Sequence, residues 1–405
     1  MTSFDASPPL NVWRALLALA VVFVMLATTG WTALRTHRET TALQASLTKW
    51  EHGSVHGLQL PDPQASPALL TRFFVSLTPQ DRDRLAHRYP LAVGNMNGAP
   101  VELRYRANHI ALEQQRRVEK KRMHDPRLTA AGQQDAGRRM HRYEALMTKG
   151  RQILSFDPDG DGRVAEVFGD LPRAQRISVI VPGVDTDLLT FQKTNRQYTA
   201  PVGMARALHK AEHAASPGTR TAVIAWADYT APSGLGVDAA TGTAAELGAV
   251  RLNALLRALP GEAPVSMFCH SYGSVLCGVA AHGMPARVAD IAVAASPGMR
   301  VEKAADLGTS VRVWAMRDAT DWIQDVPYLE LGGLGHGADP VSSSFGARVL
   351  SAQDALGHAG YFEPGTDSLR NLADIGVGEY GAVTCAHDDD GCRADLSGTS
   401  TAGRA

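Results

Sequence analysis

The stretch from Val265 to Ala280, VSMFCHSYGSVLCGVA, constrains the fold more than any other part of the chain. An apolar run with strand character breaks at a short polar turn around Ser271 and resumes as a small-residue helical pattern. A serine in a tight strand-to-helix turn lifts its hydroxyl clear of a sheet at the positive end of a helix, and the residues two positions away on each side must be small. Gly273 meets that demand, whereas Cys269 stands where a glycine is usual. Because a serine between a strand and a helix also arises in ordinary packing, its partners must be sought elsewhere.

Apolar, β-rich runs recur at 177–183, 221–229, 265–271, 290–296 and 311–316, with helix-length stretches such as AAELGAVRLNALLRAL between several of them. Continuous apolar strands separated by helices predict an α/β architecture, a mostly parallel sheet with helices on both faces. The ligand site of such a sheet lies beyond the carboxyl ends of its strands. Upstream, FDPDGDGRVAEVF places Asp157, Asp159, Asp161 and Gly162 like the opening of an EF-hand calcium loop. Position twelve of that loop should be a bidentate glutamate and is Phe168, and no amphipathic helices flank it. The stretch reads instead as a Gly-Asp turn between two strands, ILSF and VAEVF. No metal site and no cofactor are expected.

The remaining segments set the domain plan. Residues 1–35 are expected to form an N-terminal tail with a single transmembrane helix, because the twenty residues 15–34 carry no charge and a helix of that length spans the roughly 30 Å hydrocarbon core. The alternative, a cleaved signal peptide, lacks a small-residue cleavage site after the apolar run. Residues 36–150 are mostly helical and read as an arm or cap. Residues 151–383 hold the α/β domain, and residues 384–405, with an aspartate run and a TSTAGRA ending, read as a disordered tail. A formal net charge of −1 gives no field for a polyanion, and Glu113, Glu119 and Glu144 interrupt the basic helices of the arm, so no nucleic-acid partner is expected. Of the four cysteines, Cys385 and Cys392 suit a small disulfide loop in an extracytoplasmic compartment, while Cys269 and Cys277 read as buried free thiols.

If Ser271 is a nucleophile it needs a histidine base, oriented in turn by a carboxylate. The run RDATDWIQD after the strand at 311–316 offers Asp318, Asp321 and Asp325. Asp321 is preferred because it precedes Trp322 and Ile323 and can turn inward from a strand tip; Asp318 is the alternative. His358 and His336 compete for the base, and His358, on a short loop after a last strand at ARVL, fits the order serine, acid, histidine. His270 adjoins the nucleophile but leaves the turn on another side and reads as packing. The oxyanion formed on acyl attack needs backbone donors, for which the amides of Tyr272 and Val184 are the candidates, the latter beyond Gly183 in VPGVDTD.

The stretches VGNMNGAPVELRYRAN, FDPDGDGRVAEVFGD, VIVPGVDTDL, AWADYTAPSGL, CHSYGSVLCG and FGARVLSAQDALGHAGYF together resemble an uncharacterised bacterial α/β-hydrolase family, over about residues 70–375. The resemblance implies an α/β-hydrolase fold with Ser271 as nucleophile, Asp321 as acid and His358 as base. Cys269 departs from the GHSYGS usual in that family.

The expected function is that of a membrane-anchored serine hydrolase, its catalytic domain extracytoplasmic, cleaving a small-molecule or lipid ester through an acyl-enzyme. Apolar, glycine-rich loops at 230–243 and 326–346 favour a lipid-like substrate. A thioesterase or acyltransferase uses the same machinery, and a non-catalytic scaffold keeps the fold without the chemistry.

Overall fold

The computed structural model describes residues 40–386 and 390–396. The span expected at 15–34 lies outside them; among the described residues no helix is long and apolar enough to cross a membrane.

An eight-stranded sheet carries the molecule. Its strands are β1 (Gln152–Asp157), β2 (Arg163–Gly169), β3 (Arg176–Val181), β4 (Thr221–Ala227), β5 (Val265–His270), β6 (Val288–Ala294), β7 (Arg312–Met316) and β8 (Arg348–Val349). They lie in the order 1-2-4-3-5-6-7-8. β2 runs antiparallel to both neighbours and all other pairs are parallel. The α/β expectation therefore holds, and the order is that of the α/β-hydrolase fold. The Asp-Gly stretch at 157–162 is the turn of the β1–β2 hairpin. Two of its carboxylates are engaged within the chain: Asp157 pairs with Arg163, and Asp159 accepts the Ala42 and Leu43 amides at 3.0 and 3.1 Å.

Strand residues alternate between two cores, as the two-residue period of a pleated strand requires. On β5, Val265, Met267 and Cys269 face one core while Phe268 faces the other. The first core is closed by helices α8 (Thr243–Ala258) and α9 (Tyr272–Ala281), through Leu252, Leu256, Val275 and Leu276. The second is closed by α7 (Pro201–Ala215) and α10 (Asp367–Val377), through Leu208, Leu369 and Leu372.

Among the described residues the N-terminal arm holds six helices: α1 (Ala42–Glu51), α2 (Pro67–Ser76), α3 (Pro79–Arg88), α4 (Pro90–Asn95), α5 (Val101–Arg122) and α6 (Ala130–Leu146). Four begin at a serine or threonine, Thr41, Ser66, Thr78 and Thr129, whose side chain accepts a first-turn amide. A core of its own forms around Trp50, Phe74, Tyr89 and Leu103. The arm covers the sheet edge at β1. Asn95 exchanges two hydrogen bonds with the Phe156 backbone, at 2.7 and 3.1 Å, and Asn108 donates to the Ile153 carbonyl at 2.9 Å. Side-chain amides thus satisfy backbone groups that an open edge strand would expose.

Two expectations need correction. The tail is ordered where it is described: Cys385 is bonded to Cys392, both are buried, and Arg348 donates to the Cys392 and Ala394 carbonyls at 2.9 and 2.7 Å. Its polar composition hid an anchor to the β8 edge. The other correction concerns Cys269 and Cys277, which are not free thiols but form a disulfide with Cα atoms 6.5 Å apart. Cys269 points from β5 toward the first turns of α9, and the close strand-to-helix packing brings the two sulfurs together.

Candidate active site

Ser271 occupies the turn between β5 and α9 with φ 54° and ψ −128°, a conformation that L-residues avoid. Surrounding structure enforces it. The Ser271 amide donates to the Ala294 carbonyl at 3.0 Å, and the Ser274 amide returns to the Ser271 carbonyl at 2.9 Å. Gly273 lies against the Val181 and Pro182 carbonyls, where a Cβ has no room. A Cβ on Gly183 would lie 2.6 Å from the Ser271 Cβ, so the loop after β3 passes close beside the serine only because it carries a glycine there.

The imidazole of His358, in the 3₁₀ turn Gly357–Phe362, lies between two partners. Its Nε2 is 2.9 Å from Ser271 Oγ and its Nδ1 is 2.8 Å from Asp321 Oδ1. Asp321 follows β7, is fully buried, and also accepts the Ile323 amide at 3.0 Å and the Tyr361 hydroxyl at 2.7 Å. Burial acts to raise its pKa, yet the hydrogen bonds from His358, Ile323 and Tyr361 outweigh it and hold the carboxyl below its ordinary value. All three side chains stand beyond the carboxyl ends of parallel strands. With the carboxylate accepting from Nδ1–H, the imidazole presents Nε2 as an acceptor to the serine hydroxyl.

Among the described residues, the side chains of the competing candidates are not hydrogen-bonded to Ser271. Asp318 Oδ1 accepts the Thr320 amide at 3.0 Å and the Gly357 amide at 3.1 Å, tying the Asp321 loop to the His358 loop. Asp325 ends a 3₁₀ turn at the surface. His336 donates from Nε2 to the Ala239 carbonyl at 2.7 Å and packs edge-on against Tyr272. His270 does more than pack: its Nε2–H donates to the His358 carbonyl at 2.7 Å. Burial first, and then the neighbouring His358, pushes its pKa down to about 4, so it is neutral at physiological pH. Sequence reasoning also missed Tyr361 and Trp322, whose indole lies over the His358 ring with centroids 4.6 Å apart. The aromatic in GHAGYF, three residues after the histidine, was the available signal for Tyr361.

Val184 and Tyr272 both border the space in front of Ser271. Among the described residues neither amide donates to a protein acceptor. The Tyr229 hydroxyl holds the Val184 loop through the Pro182 carbonyl at 2.7 Å.

Two recesses meet at Ser271. One, of about 290 Å³, is apolar and lined by Leu235, Ala239, Trp322, Ile323 and Val326. The other, of about 240 Å³, is lined by Thr186, Lys193, Arg196, His270 and His358. Neither has a lining residue from 36–150, so the arm does not cap this site.

A strained serine on a strand-to-helix turn of this sheet, hydrogen-bonded to a histidine and a buried aspartate, defines the site class of the α/β hydrolases. Residues 157–331 match the family model described as alpha/beta hydrolase. The matched segment is shorter than the 70–375 of the resemblance and stops before His358. Two uncharacterized proteins from strains of Mycobacterium tuberculosis are each 28% identical over 389 residues, covering 80% of this chain and 58% of the relative. The chain therefore spans less than two thirds of their length. Among solved structures, a Xanthomonas campestris protein described as a member of a/b serine hydrolase without lid is 13% identical, covering 43% of this chain and 74% of its own, with TM-score 0.27. A 2,6-dihydroxy-pseudo-oxynicotine hydrolase is 12% identical, covering 77% and 88%, with TM-score 0.34.

Proposed function

We propose that this chain is a serine hydrolase that cleaves a carboxylic ester through an acyl-enzyme on Ser271. The observation that carries the reading is the unbroken hydrogen-bonded series from Ser271 Oγ through His358 to Asp321, at 2.9 and 2.8 Å. In this reading His358 takes the serine proton as Oγ attacks the ester carbonyl, and Asp321 stabilises the imidazolium that forms. The amides of Val184 and Tyr272 receive the oxyanion, each such donor being worth about 3 to 4 kcal/mol.

The apolar recess supports an apolar acyl group. Leu235 and Trp322, 70% and 41% exposed, stand at its mouth and favour a lipid-like substrate. Residues 15–34 anchor the chain in the cell membrane in this account, and two disulfides support an oxidising, extracytoplasmic setting for the catalytic domain.

The reading is tested by hydrolysis of p-nitrophenyl esters of graded chain length by the full chain and its His358→Ala and His336→Ala variants. His358→Ala is expected to lose at least about a thousandfold in kcat, the scale of losing a triad member. His336→Ala, which borders the acyl recess, is expected to change KM instead. Equal loss of kcat in both would contradict the assignment.

A further inference from the structure

The two recesses at Ser271 differ in chemistry, and the position of His358 orients a substrate across them. His358 and His270 border the polar recess and not the apolar one. In acyl transfer the base that takes the serine proton returns it to the leaving oxygen, so the leaving group lies on the histidine side. We propose that the substrate is an ester joining an apolar acyl group, held between Leu235 and Trp322, to an alcohol bearing an anionic group that meets Lys193 and Arg196. This inference rests on the hydrolase reading above.

The charges of the recess support an anion. Lys193 and Arg196 are exposed on its wall. Among the described residues neither side chain has an ion-pair partner. The acidic side chains nearby accept hydrogen bonds from neutral donors. Asp185 accepts the Gly234 amide at 2.7 Å, and Asp187 accepts the Thr190 amide at 2.7 Å and its hydroxyl at 3.0 Å. Two cations, Lys193 and Arg196, line the recess against one carboxylate, Asp185, so its wall carries net positive charge and prefers an anion. A guanidinium and an ammonium on one wall suit a phosphate, with Arg able to bind two oxygens at once.

The reaction balances without a further reagent. Ser271 Oγ bonds to the carbonyl carbon as its proton passes to His358 Nε2. The bond from carbonyl carbon to alcohol oxygen breaks, and the proton goes to that oxygen. Water then enters the vacated polar recess, gives a proton to His358 and releases the carboxylic acid, and the proton returns to Ser271.

The test uses the full chain in detergent with three octanoyl esters: monooctanoylglycerol, its phosphate ester and octanoylcholine, each also presented in phosphatidylcholine vesicles. We expect kcat/KM for the phosphate ester to exceed that for the neutral ester by about tenfold or more, the scale of one or two charge-assisted hydrogen bonds. In Lys193→Gln/Arg196→Gln that ratio falls toward one, mainly through KM, with unchanged thermal melting; in the parent, high salt lowers it. A preference confined to vesicles identifies a membrane-borne substrate, and one seen with dispersed ester identifies a soluble phosphate. Preference for the neutral or choline ester in both presentations, or a ratio unchanged in the double variant, overturns the proposal. So does a protein whose Ser271 reacts with a fluorophosphonate yet which cleaves no phosphate ester. If Ser271 also resists the fluorophosphonate, the hydrolase reading fails with it.

Discussion

The Tyr361 hydroxyl donates to Asp321 Oδ2 at 2.7 Å, leaving Oδ1 to His358 Nδ1 at 2.8 Å. The same hydroxyl accepts the Asp318 amide at 2.8 Å, so one buried phenol ties the Asp321 loop to the His358 turn. Burial, with the nearby carboxylates, pushes its pKa far up, and it stays a donor at every working pH. Tyr361→Phe removes a hydrogen bond to a buried carboxylate, worth about 1.5 to 3 kcal/mol. We predict a fall in kcat of about ten- to a hundredfold with little change in KM, read from steady-state kinetics. An unchanged kcat would show that the phenol serves packing alone.

Cys269 stands at the elbow's usual glycine position and is bonded to Cys277 in α9, so the disulfide fastens the strand before Ser271 to the helix after it. Closing so short a loop contributes about 2 to 3 kcal/mol by restricting the unfolded chain. Cys269→Gly/Cys277→Ala should lower the urea midpoint accordingly while preserving the slope, and reductant should shift the parent but not the variant at this link. Equal midpoints for parent and variant would remove the disulfide from the stability account.

His270 gives a pH signature. Its pKa in the fold is lowered from 6.5 to about 4, so between those values the unfolded chain binds a proton that the folded chain does not. The stability of the fold therefore falls as pH drops from 6.5 to 4, by up to about 3 kcal/mol from this group. Asp321, held below its ordinary 3.8, adds a loss in the same direction at still lower pH. Denaturation midpoints measured from pH 7 to 4 should show a shallower decline in His270→Gln than in the parent. Parallel declines would place the sensitivity elsewhere.

The edge of the sheet is a separate point of weakness. Asn95 satisfies both backbone groups of Phe156, and Asn95→Ala leaves a donor and an acceptor on β1 unpaired. A loss of about 2 to 4 kcal/mol is expected from two such groups, measured by thermal or urea unfolding, with ester turnover at the distant site unaffected. A fall in turnover at a temperature where the variant is folded would mean that the arm communicates with Ser271.

The sheet and the order of its site residues were legible because they depend on local pattern. Continuous apolar runs marked β3 to β7, and the Ser271 turn, the Asp321 run and the His358 loop each follow a strand that the pattern marks. What escaped depends on how distant segments face one another. Tyr361 is an aromatic in a loop until the fold turns its hydroxyl onto Asp321, and His270 finds its acceptor in the His358 backbone, 88 residues away in sequence. The Cys269–Cys277 bond depends on the separation of β5 and α9. The arm read as helical from its spacing, but its place on the β1 edge rests on two asparagines whose partners lie 61 and 45 residues away. The polar tail concealed a buried Cys392.

The most direct test of the central claim is peptide mapping after reaction of the full chain with a fluorophosphonate. One adduct is expected, on Ser271, abolished in Ser271→Ala and slowed at least about a hundredfold in His358→Ala. A folded protein that takes up no label, or takes it at another residue with Ser271 free, would contradict it.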